Sequence, residues 1–117
     1  MTILYDLFKD DETFNIPIYV ASPLTCRINK IFLRTLKGEQ LKKWEQVYNW
    51  DRVTFIDNFE SLEQIIGKED SAIFIASSGM MNAGYSVYIA EKLLPSAKNI
   101  LAFVGYSVEG TLSYKIK

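Results

Sequence analysis

Histidine does not occur among the 117 residues of this sequence. Most zinc hydrolases draw ligands from histidine, and a Ser-His-Asp arrangement draws its base from it, so neither chemistry is expected of the chain alone. The single cysteine, Cys26, excludes an internal disulfide and fits a reducing compartment. One thiol and scattered carboxylates do not equip the chain to build its own metal centre. No signal peptide and no run of about 18 apolar residues is present, which makes a soluble cytoplasmic protein with no membrane contact the expectation. The net charge is −1, so no overall basic balance marks a nucleic-acid module, and any such contact has to come from a local basic face. Repeats, low-complexity tracts and linkers are also missing. What is present is ordinary globular material, 49% hydrophobic and 23% charged, enough for one domain around one core.

The apolar pattern alternates between two periods. Residues 3–9 have helical spacing, with Ile3, Leu4, Leu7 and Phe8 on one side, and the acidic run DDET then breaks it. Ile16–Ser22 (IPIYVAS) is a continuous apolar segment of the kind buried on both faces of a sheet. Ser22-Pro23 marks a helix start, with serine as cap and proline in the first turn. Leu24, Ile28, Ile31, Phe32 and Leu36 follow at helical spacing, and a further helix carries Leu41, Trp44, Val47 and Tyr48 after Gly38. Val53–Asp57 reads as a short strand, Asn58 as a cap, and Glu60 to Ile66 as a helix. Ala72–Ser77 and Asn99–Gly105 read as two more buried strands, separated by a helix from Gly84 to Leu94 that Pro95 ends. The alternation predicts an α/β fold: a three-layer, Rossmann-like, open and mostly parallel sheet with helices on both faces. TLSYKIK begins another helix where the sequence stops, an ending expected of a boundary inside a longer chain.

Ligands of such sheets gather beyond the carboxyl ends of the strands. Three loops share that edge: Ser22-Pro23, Ser77-Ser78-Gly79, and Gly105-Tyr106 through Gly110-Thr111. Small residues let a ligand approach the backbone, and a helix start offers free N–H groups to an anion. Ser22, Ser77, Ser78, Gly79, Gly110 and Thr111 are therefore candidate phosphate-binding residues; the plain alternative is that Gly79 and Gly84 serve turn geometry. Arg27, Lys30, Arg34 and Lys37, at spacings of three, four and three, line one side of the helix after Ser22. Such a row suits a phosphate backbone, although most charge rows are only solvated faces. Cys26 reads as a buried structural thiol before a phosphocysteine or redox site, and Trp44 and Trp50 as packing. Asp57 with Ser77 or Ser78 matches part of a phosphoacceptor receiver domain. That reading fails, because the acidic pair after the first strand and the lysine after the last are absent.

IPIYVASPLTCRINKIF, IFIASSGMMNAGYS and NILAFVGYSVEGTL together resemble the β-CASP domain of the metallo-β-lactamase superfamily, over roughly residues 3 to 115. The resemblance implies RNA-processing nucleases, among them the endonuclease subunit of the cleavage and polyadenylation machinery and RNase J. In them a metallo-β-lactamase domain binds two zinc ions through a histidine- and aspartate-rich motif, and the β-CASP domain closes over it as the nucleic-acid groove. The HxHxDH-type motif and the later histidines are absent here, so the resemblance implies an excised module without metal, inactive alone, whose zinc belongs to the parent. It also implies that the loops at Ser78 and Gly110 face the cleft, with Met80 and Met81 against the neighbouring domain. Its implied partners are RNA or DNA and that catalytic domain, with self-association through apolar surface left uncovered. The competing expectation is a free-standing Rossmann-like domain that binds a small phosphorylated ligand or a protein.

Overall fold

The computed structural model describes residues 1–68 and 70–117. Strands β1 (Ile18–Ala21), β2 (Val53–Ile56) and β3 (Ile73–Ala76) form a parallel sheet in the order β2-β1-β3. Ile18 pairs with Val53 on one side and Ile73 on the other, and Ala21 with Ile56 and Ala76. The central place of β1 explains its unbroken apolar run. Ile18, Val20 and Ala21 are almost fully buried, whereas Thr54 on β2 is exposed.

Six helices surround the sheet among the described residues: α1 (Thr2–Phe8), α2 (Pro23–Thr35), α3 (Gly38–Tyr48), α4 (Phe59–Gly67), α5 (Tyr85–Leu93) and α6 (Leu112–Ile116). The step from β1 to β2 and the step from β2 to β3 run in opposite directions across the sheet. Right-handed crossovers then place their helices on opposite faces. On one face Phe55 stacks on Tyr48 at 4.9 Å, Tyr48 on Trp44 at 4.8 Å, and Phe32 meets Trp44 edge-on. On the other, Ala21, Ile56, Leu62 and Ile89 form the main cluster, with Tyr19, Phe74 and Ala76 packed against it. The molecule is thus helices, sheet, helices: an open Rossmann-like arrangement.

Helix starts follow their caps. Ser22 Oγ accepts from Thr25 N at 3.2 Å and Asn58 Oδ1 from Ser61 N at 2.8 Å. One expectation is corrected. The segment Asn99–Gly105 forms no strand; its backbone finds no sheet partner among the described residues, and Ile100 and Val104 are fully exposed. A strand exists only with a partner, and an apolar run reads alike with or without one. On α2, Leu24, Ile28 and Ile31 face solvent. Its inward face carries buried Asn29, and Cys26 Sγ lies 3.8 Å from the Ile56 carbonyl.

Candidate functional site

The chain leaves β1 toward α2 on one face and β3 toward α5 on the other, so the two exits part at the carboxyl edge. This is the switch point at which open α/β sheets bind ligands. Here Ser77 Oγ donates to Ser22 Oγ at 2.9 Å across 55 residues of sequence. Ser22 Oγ also accepts from Thr25 N, which leaves its own proton for a further acceptor. The structure therefore brings together two serines that sequence reasoning had only placed at one edge.

The loop after β3 is held by its own hydrogen bonds. Ser77 O accepts from Ser86 N at 3.1 Å, Ser78 O from Ser86 Oγ at 2.8 Å and Met81 N at 3.1 Å, and Ser78 N donates to Ala83 O at 3.3 Å. The expectation of several free N–H groups is corrected accordingly: Ser78 N–H is occupied. Gly79 N–H carries no intramolecular bond among the described residues, and Gly79 is exposed. Ser78 Oγ receives only a long contact from Asn82 N, at 3.4 Å. Ser86 is the organiser that sequence reasoning missed as a single residue, although it lies in the quoted motif.

The last loop adjoins this one. Ser113, fully buried, donates its N–H to Met80 O at 3.2 Å. Thr111 Oγ1 donates to Val108 O and accepts from Tyr114 N, so its hydroxyl serves its own turn. Gly110 has φ +89 with open space around it. Ser107 is 4% exposed and its hydroxyl has no partner within the chain among the described residues. Met81 is buried as an anchor of its own loop.

Arg27, Lys30 and Arg34 are exposed along α2, whereas Lys37 lies beyond the helix as the N-cap of α3. The Cys26 thiol is pushed up from its ordinary value by burial and then by the Asp57 carboxylate. A thiol that holds its proton is a poor nucleophile and a poor metal ligand. Among the described residues no three histidine, cysteine, aspartate or glutamate side chains stand close enough to hold a metal ion. The donor set of the described residues does not fit a zinc centre. No helix among them is long and apolar enough to cross a membrane.

Fold and site together define an α/β domain whose carboxyl edge carries hydroxyl-bearing loops around a sheet switch point. Residues 1–116 match the family model described as the Beta-Casp domain, and the chain belongs to that family. It is similar to cleavage and polyadenylation specificity factor subunit 3-II of Arabidopsis thaliana, 26% identical over 118 aligned positions, covering 99% of this chain and 19% of the relative. It is similar also to endoribonuclease ysh1 of Schizosaccharomyces pombe, 32% identical over 104 positions, covering 87% and 14%. A third relative is transcription termination factor FttA of Pyrococcus horikoshii, 40% identical over 62 positions, covering 53% and 10%. The chain thus spans less than a fifth of the length of each of these relatives.

Proposed function

We propose that this chain is the nucleic-acid-clamping module of a zinc-dependent ribonuclease of RNA processing, with the zinc and the bond cleavage supplied by another domain of the parent. One observation carries the reading: the Ser22 and Ser77 hydroxyls meet at the switch point of the sheet, in a family with a relative named an endoribonuclease. The module's own residues bind and orient. Gly79 N–H and the Ser78 hydroxyl donate to a non-bridging oxygen of a backbone phosphate, and the Ser22 proton completes the donor set. Ser107, buried without a hydrogen-bond partner among the described residues, supports a ligand role for the neighbouring loop. Arg27, Lys30 and Arg34 carry the strand away from that point by phosphate contacts.

The Gly79 position separates ligand effects from folding effects. A Cβ there meets nothing within 4 Å in the chain, so a larger residue obstructs only what approaches from outside. In the full-length parent, Gly79→Val is expected to lower cleavage of labelled single-stranded RNA by roughly ten-fold or more, the loss of one charge-assisted hydrogen bond. Ser78→Ala lowers it less, and the 117-residue chain leaves the same RNA intact with or without added zinc. Unchanged cleavage by Gly79→Val, or metal-dependent cleavage by the isolated chain, contradicts the reading.

A further inference from the structure

Two apolar helix faces lack a partner among the described residues. On α2, Leu24, Ile28 and Ile31 recur at spacings of four and three and are 62%, 37% and 56% exposed. On α1, Ile3 and Leu7 are four apart and 74% and 66% exposed. Helix α3 lies between them, tied to α2 through Phe32 and Trp44 and to α1 through the ion pair of Lys43 with Asp6. A shallow groove of about 390 Å³, lined by Thr2 of α1, Leu36 after α2, and Trp44 and Val47 of α3, runs between the two.

The two ends of this face carry opposite charge. Residues 22–37 contain Arg27, Lys30, Arg34 and Lys37 and no carboxylate. Residues 1–14 contain Asp6, Asp10, Asp11 and Glu12 against Lys9. Lys43 with Asp6 is the one ion pair among the described residues, so none of the four cations after Ser22 is paired with a described carboxylate. The helix on one side of the groove thus carries an exposed apolar stripe with cations beside it, and the helix on the other an exposed apolar pair with carboxylates beside it.

We propose that this face pairs with a second copy of the chain, in a two-fold dimer in which α1 of each copy lies on α2 of the other. Two-fold symmetry is the arrangement that uses both halves, because it makes the α1–α2 contact twice and sets each cationic border against an anionic one. A standard interface takes about 800 Å² per partner, roughly a tenth of this molecule's 8399 Å² surface. Nucleic acid would engage the cations and leave the aliphatic stripe wet, and the acidic half would repel an anionic membrane. The dimer does not depend on the RNA reading; RNA only competes with the partner for the cations.

Sedimentation velocity over a concentration series reaching the high micromolar range tests it. The 13.4 kDa chain is expected to reach twice its mass and to fall back as salt rises. Leu24→Asp with Ile31→Asp returns it to a monomer, and so does Ile3→Asp with Leu7→Asp. A mixture of those two variants associates again, since each retains the half that the other lacks. Arg27→Glu with Arg34→Glu, changes at exposed positions that leave the packing intact, also gives a monomer, and adding Asp10→Lys with Asp11→Lys restores the dimer. Monomeric wild type at the highest concentration, or a dimer indifferent to the charge-reversal pair, overturns the proposal.

Discussion

Gly84 runs at φ +85, and a Cβ on it would stand 2.7 Å from the carbonyl oxygen of Ser77. That oxygen already accepts the Ser86 N–H, so it cannot move aside without loosening the loop that carries Ser77 and Ser78. Gly84→Ala is therefore expected to destabilise the fold by about 2 kcal/mol, the scale of a strained left-handed residue plus a close contact. Gly79→Ala, in open space, is expected to stay within about 0.5 kcal/mol. Urea unfolding of the two variants checks the contrast, and equal losses would show that the two glycines do the same work. In sequence they were indistinguishable, two small residues in one loop. Only the fold shows that one is required by a neighbouring carbonyl and the other leaves room for something external. Ser22 was legible as a cap from Ser-Pro before an apolar periodicity. Its bond to Ser77 was not, because the pair depends on which strands are neighbours.

Helix α2 shows how far an element can be read. Its start at Ser22-Pro23 was legible to the residue, because a side-chain cap and a proline in the first turn are local chemistry. Its rotation was not. The aliphatic positions Leu24, Ile28 and Ile31 have core-like spacing, yet the helix meets the sheet through Cys26 and Asn29. Spacing defines a face without saying which neighbour covers it. The helix also ends before the last member of the basic row: Leu36 turns to ψ 147, which takes Lys37 off it. In the RNA complex of the parent, Arg27→Ala with Arg34→Ala is expected to reduce the slope of log affinity against log salt by about 1.4, about 0.7 for each single-strand phosphate contact. Lys37→Ala leaves it unchanged. Affinities measured across a salt series decide it, and an unaltered slope in the double variant would make the row a solvated face.

At the scale of the whole molecule, the alternation of strand and helix was enough to give three layers and a parallel sheet. It placed Ser22 and Ser77–Gly79 at one edge, since parallel strands end on the same side. It could not give the strand order, and the order β2-β1-β3 is what makes the exits of β1 and β3 part beside each other. Nor could it show that Asn99–Gly105 goes unpaired, because pairing is a property of two segments. The central claim is that this edge holds a phosphate of RNA. The most direct measurement is a two-dimensional amide spectrum of the isotope-labelled 117-residue chain, titrated with a short single-stranded RNA. The account predicts saturable shifts at Gly79, with Ser77, Ser78 and Ser107 following and the amides of α4 still. Shifts confined to the exposed lysines and arginines, with the Gly79 amide unmoved at saturation, would contradict it.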